Sequence, residues 1–180
     1  LHGAHQVANA SIAVAAVESF FGTALDAEVV AEGFASLKLP GRFEVLRYGP
    51  LVVVDGAHNA DALRASARTL EDEFAPAGTR IIVLGLLAGR DPDRSVAAVS
   101  ELRPDLILCC SLDGSRGVSA AVLAAACAKR GIAHETVGDP ASAVARALAL
   151  AAEEDVVLIT GSFRMFEPAQ TVVLSFDSQN

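Results

Sequence analysis

Basic residues are scarce in this 180-residue chain. Fourteen lysines and arginines stand against 22 aspartates and glutamates, for a formal net charge of −8. A nucleic-acid backbone requires a basic face, so the balance argues against that class of partner. A small anion needs only a few local donors and is not. There are three cysteines, Cys109, Cys110 and Cys127, an odd number with two adjacent and no CxxC or Cys/His spacing. They read as reduced, buried thiols of a cytoplasmic protein, not as a disulfide framework or zinc ligands. No apolar run reaches the ~18 residues of a membrane span, and no signal peptide stands ahead of the first strand. The common catalytic motifs are missing too. There is no GxxxxGK[ST] and no GxGxxG after a strand, which argues against an ATPase working alone. No GxSxG elbow supports a serine nucleophile.

What is present is core material. The chain is 52% hydrophobic and 20% charged, enough to bury a real core. Its length suits one domain, or one domain plus a piece of another. Its first residue is not Met and its opening reads as mid-domain sequence, so a piece of a longer protein is expected.

Residues 5–21 (HQVANASIAVAAVESFF) predict a helix, with Val7, Ile12, Ala16 and Phe20 near helical spacing and Gly22 as a stop. Residues 26–34 predict a shorter one. LKLPGR (37–42) reads as a linker, punctuated by Pro40-Gly41. Beyond it, FEVLRY (43–48) and LVVVD (51–55) flank Gly49-Pro50 as a hairpin-like pair. Strands and helices then alternate: a helix over 59–75 with Leu63, Ala67, Leu70 and Phe74 on one face, a strand at 80–85, and a helix begun by Asp91-Pro92. A strand at 105–110, a helix over 119–130, a strand at 134–137, a helix from Asp139-Pro140 to about 152 and a strand at 155–161 follow. VVLSF (172–176) is expected to add an edge strand. The inner strands are short, continuous apolar runs, as in sheets covered on both faces. The pattern predicts an α/β fold with a doubly wound, mostly parallel sheet.

In such sheets ligands bind beyond the carboxyl ends of the strands. Four of these ends carry polar chemistry: DGAHN (55–59), GLLAGRDPD (85–93), SLDGSRG (111–117) and TGS (160–162). Asn59 is placed to cap a helix and Gly56 to permit a turn. Asp55 and His58 do not follow from turn chemistry. A strand-end aspartate can accept from ribose hydroxyls. A histidine beside a helix N-terminus can donate to an anion or shuttle a proton. Both also fit an ordinary loop. Arg90 and Asp91 read as a surface residue and a cap, Ser162 as turn material or a ligand donor, and Arg42 as a fixed charge in the linker.

Taken in order and spacing, HQVANASIAVAAVE (5–18), LPGRFEV (39–45) and VVVDGAHNADAL (52–63) resemble the folylpolyglutamate synthase/dihydrofolate synthase family, a branch of the ATP-dependent Mur ligases. GRDPD and TGSF fall where that family has later loop motifs. The resemblance implies that residues 1–38 are the helical tail of a central ATPase domain plus linker, and that residues 39–180 are a Rossmann-like C-terminal domain. It implies ATP and Mg2+ as cofactors, with the P-loop, the metal ligands and a modified lysine lying outside this chain. It also implies L-glutamate and a folate or pteroate as substrates, in a monomeric cytoplasmic enzyme. By the same resemblance Asn9 would face adenine, Arg42 would contact the nucleotide and Asp55 would hold the ribose. His58 would lie near the phosphates or the incoming glutamate, and Ser162 would help bind that glutamate. Asp55 and His58 are the expected catalytic pair. Arg90 stands where the family has lysine, and FRMFEPA (163–169) departs from its pattern. The resemblance implies that the isolated chain is inactive. Two rivals are a cell-wall precursor ligase of the same superfamily and a non-catalytic nucleotide-binding or interaction module in which DGAHN is only a turn.

Overall fold

A computed structural model describes residues 1–178 apart from Asp113 and Ser115. The loop expected at 111–117 is therefore described only in part, because those two residues lie outside the described ones. Two helices, α1 (Ala4–Phe21) and α2 (Ala27–Ala35), precede the linker. The sheet contains β1 (Glu44–Arg47), β2 (Leu51–Asp55), β3 (Arg80–Leu84), β4 (Leu106–Cys110), β5 (His134–Val137) and β6 (Val156–Thr160). Between and after them run α3 (Ala60–Phe74), α4 (Pro92–Val99), α5 (Ala120–Ala128), α6 (Pro140–Leu150) and α7 (Phe166–Asp177). The spatial order is β1-β2-β6-β3-β4-β5. Only β1 is antiparallel, to β2; the remaining pairs are parallel. This is a Rossmann-like sheet with one antiparallel edge.

The two-residue alternation of the strands sorts their side chains between two cores. Val53, Ile82, Leu84, Ile107, Cys109, Val156 and Leu158 pack with α3, α4 and α5. Val52, Val54, Ile81, Val83, Leu108, Cys110, Val157 and Ile159 pack with α6 and α7. Both faces are covered, which is why the strands read as unbroken apolar runs. Helices α3 to α6 begin where the sequence places their starts. Asn59, Asp91, Ser119 and Asp139 each accept from a backbone N–H in the first turn, answering donors that would otherwise be orphaned.

One expectation is corrected. Residues 172–176 are not an edge strand; they lie inside α7. Ala169, Val172, Val173 and Phe176 recur at helical spacing and face the α6 core. Burying an aliphatic side chain stabilises by about 1.5–3 kcal/mol, whereas a β-branched residue disfavours a helix by only ~0.7 kcal/mol. Pro168 sits in the first turn, where its missing N–H costs nothing.

α1 behaves differently from the helices of the sheet. Its start is tied down by Glu73, which accepts from the Gly3 N–H at 2.6 Å and meets His2 Nδ1 at 2.7 Å. Its apolar positions Val7, Ile12 and Phe20 are 64%, 68% and 83% exposed. Among the described residues, no helix is long and apolar enough to cross a membrane.

Candidate functional site

The connections after β2 and β3 lead to α3 and α4 on one face, while the chain leaving β6 leads to α7 on the other. Since β6 lies between β2 and β3, the carboxyl ends of these three strands open a crevice at a topological switch point, where open α/β sheets bind ligands. Asp55 and Thr160 are register partners in the β2–β6 pair, so DGAHN and TGSF emerge side by side. Two backbone bonds join them to each other and to the linker: Gly161 N–H donates to Ala57 C=O at 2.9 Å, and Gly56 N–H to Gly41 C=O at 2.8 Å. Gly161 has φ +103°, and a Cβ there would collide with the Gly85 carbonyl oxygen. Only glycine suits that place.

Asp55 is 5% exposed, and its carboxylate has no hydrogen-bond or ion-pair partner among the described residues. The contrast with Asp155 is informative. That aspartate is also buried, at the amino end of β6, and its carboxylate accepts from Thr79 N–H at 2.6 Å and Ala152 N–H at 2.7 Å. Burial pushes the Asp155 carboxyl up, but these donors outweigh it and hold the group below its ordinary range.

His58 is half-buried, with Nδ1 2.9 Å from the Gly56 carbonyl oxygen. A carbonyl can only accept, so Nδ1 carries the proton and Nε2 is left for a ligand. His58 and Asn59 line a cavity of about 290 Å³ with Arg90 and Arg94. Asn59 is the structural part of the motif: its Oδ1 accepts from Ala62 N–H at 2.9 Å. Ser162 is buried and its Oγ accepts from Arg164 N–H at 3.2 Å. That bond caps the 3-10 turn Phe163–Met165, leaving the hydroxyl proton available to an acceptor. Arg42 is exposed, with its guanidinium over the Phe163 ring, 4.3 Å from the centroid. The structure thus brings Arg42, Asp55, His58 and Ser162 to one edge. Asn9 is exposed on α1 with its amide bonded to Gln6 Oε1 at 3.3 Å, and makes no contact with these loops among the described residues.

Charge is segregated as well. Arg47, Arg64, Arg68, Arg80, Lys129, Arg130 and Arg146 each have a carboxylate partner. Arg42, Arg90, Arg94, Arg116 and Arg164, in or beside the loops of the carboxyl edge, have none among the described residues. Lys38 in the linker and Arg103, ahead of β4 at the amino edge, also have none among the described residues, so most but not all of the uncompensated cations stand beside the crevice, which favours anions there.

Comparison with known proteins fits this geometry. The model of the family described as "Mur ligase, glutamate ligase domain" matches residues 41–163. The chain belongs to this family. A relative from Haloferax volcanii, a probable bifunctional folylpolyglutamate synthase/dihydropteroate synthase, is 37% identical over 172 residues, 95% of this chain and 20% of that protein. A UDP-N-acetylmuramoyl-L-alanyl-D-glutamate–2,6-diaminopimelate ligase from Corynebacterium efficiens is 33% identical over 176 residues, 89% of this chain and 32% of that protein. The solved structure of Mycobacterium tuberculosis folylpolyglutamate synthase complexed with ADP superposes with a TM-score of 0.88 at 33% identity, over 96% of this chain and 41% of that one. The chain therefore spans from one fifth to two fifths of the length of these relatives.

Phe163 was not singled out from the sequence. In the sequence it stands only within TGSF and the FRMFEPA stretch, and its importance comes from two distant segments meeting on its ring: the linker at Arg42, and DGAHN at Gly56 and His58, the last with ring centroids 6.4 Å apart.

Proposed function

We propose that this chain supplies the C-terminal half of the active site of an ATP-dependent ligase. That ligase joins L-glutamate to a folate or dihydropteroate through an acyl phosphate. The observation that carries the reading is Asp55: a strand-end carboxylate without protein donors among the described residues, at a switch-point crevice bordered by arginines that have no carboxylate partner among them. A carboxylate left free of protein donors can accept from a ligand bearing hydroxyl donors, such as a nucleotide ribose. The ADP named for the Mycobacterium tuberculosis structure supports a nucleotide as that ligand.

Each side chain then has a role. Asp55 accepts from ribose hydroxyls, and Arg42 meets the phosphates as the linker closes. His58 offers Nε2 to the amine of glutamate as it loses a proton, or, once protonated, to a phosphoryl oxygen. Ser162 donates to a glutamate carboxylate. A carboxylate is a poor acyl donor, so ATP first converts it to an acyl phosphate; the amine attacks, and phosphate leaves. Positioning and charge stabilisation dominate such chemistry, and closure of two domains excludes water from the acyl phosphate. Asn9 is proposed for the adenine end.

Among the described residues no three His, Cys, Asp or Glu side chains gather as a metal site. The magnesium ion is proposed to be held by the rest of the ligase, and no step here runs through it. Residues 1–38 are proposed as the tail of the preceding ATPase domain. The start of the family match at residue 41 and the exposed apolar positions of α1 support that division. Addition of an amino acid to a cell-wall precursor is the second reading, favoured by the diaminopimelate ligase relative.

The test is phosphate release by the full-length ligase carrying this chain. Release that requires ATP, L-glutamate and a folate or dihydropteroate together is expected. Release that instead requires a UDP-linked muropeptide selects the second reading, and a protein that binds nucleotide without turnover is the non-catalytic module.

A further inference from the structure

Phe163 is 42% exposed, although it follows a buried serine and precedes the buried Met165. A phenylalanine serving only the core would be expected further inside. Its ring instead lies against the backbone of the two loops that carry the nucleotide-facing residues. A Cβ built on Gly56 would stand 2.6 Å from the ring, and one on Gly41 3.4 Å from it. Over the same ring lies the Arg42 guanidinium, 4.3 Å from the centroid. Arg42 is exposed and has no carboxylate partner among the described residues, so this π contact is what orients its charge.

We infer that Phe163 is a positioning residue. Its ring holds the linker arginine at the crevice, so that Arg42 meets the nucleotide phosphates already ordered. The inference rests on the reading of Arg42 as a phosphate contact. An arginine has many rotamers, and ordering one on binding lowers affinity; a ring that orders it beforehand removes part of that loss. The attraction depends on the π face and not on apolar bulk. Leucine can fill the space over Gly56 but cannot hold the guanidinium, whereas tyrosine keeps the face.

The experiment compares wild type, Phe163→Leu, Phe163→Tyr, Arg42→Ala and the double variant Arg42→Ala/Phe163→Leu in the full-length ligase, with ATP as the varied substrate. Phe163→Leu is expected to raise the KM for ATP by about three- to tenfold, the scale of an exposed to partly desolvated cation–π contact, with a smaller change in kcat. Phe163→Tyr is expected to restore most of the lost affinity. In the Arg42→Ala background, Phe163→Leu should add little, because the ring acts through the arginine. An unchanged KM in Phe163→Leu, a loss equally large without Arg42, or a failure of tyrosine to restore affinity overturns the inference while leaving the ligase reading in place. A wild-type protein that does not use ATP overturns the ligase reading itself.

Discussion

Asp55 and Asp155 are buried at opposite edges of one sheet, and of the two only Asp155 has protein donors for its carboxylate among the described residues. Asp155 joins the starts of β6 and β3, and its own carbonyl accepts from Leu51 N–H at 2.9 Å, bringing in β2. Asp55 ends β2 with its carboxylate uncommitted. The same residue type is bonded into the sheet's frame at one edge and left without protein donors among the described residues at the other.

The pH dependence of stability follows from Asp155. Its folded pKa lies below the ordinary aspartate value, so the unfolded chain binds the proton more tightly. Its contribution is fully present above the unfolded value of ~3.9 and is lost as pH falls through the folded value. Urea unfolding between pH 6 and pH 3 should show this loss, and Asp155→Ala should cost about 1.5–3 kcal/mol near neutrality and flatten the acid slope. An unchanged slope would remove Asp155 from the account.

Two glycines of the site should respond differently to alanine. At Gly56 the obstacle is the ring of Phe163, which stands at the edge and can shift, so Gly56→Ala should cost about 1 kcal/mol. At Gly161 the obstacle is the Gly85 backbone, and φ is +103°; left-handed strain of ~1–2 kcal/mol adds to a clash that cannot relax. Melting curves should therefore place Gly161→Ala clearly below Gly56→Ala, and the reverse order would contradict the packing described.

All three cysteines are free and buried. Burial, with a smaller push from Asp139, raises the Cys110 thiol to about 12. The hydrogen bond with Cys127 and burial hold Cys109 above its usual range. The same hydrogen bond lowers Cys127, but all three side chains are closed off from solvent, so a thiol reagent at pH 8 should label almost nothing in the folded protein and three thiols after denaturation without reductant. Recovery of a single thiol would mean that a disulfide had formed.

Much of the sheet was legible because local signals agreed with the tertiary outcome. Asn59, Asp91, Ser119 and Asp139 marked helix starts, and the apolar runs between them became strands. Residues 172–176 misled because β-branched residues carry a strand preference that packing on α6 outweighed. At the site, Asp55, His58 and Ser162 stood out through their places at strand ends. Phe163 did not, because a lone phenylalanine has no periodic pattern and gains its role from loops that meet only in the folded chain.

Steady-state kinetics with a melting curve for Asp55→Ala and His58→Ala in the full-length ligase separate a nucleotide site from a structural turn. Loss of a hydrogen bond involving a charged group is worth ~1.5–3 kcal/mol, so Asp55→Ala should weaken ATP binding roughly 10- to 100-fold. His58→Ala should lower kcat more than ATP affinity, and both variants should melt close to the wild type. Early melting of both, with normal kinetics at temperatures where they remain folded, would show DGAHN to be a structural turn and would contradict the account.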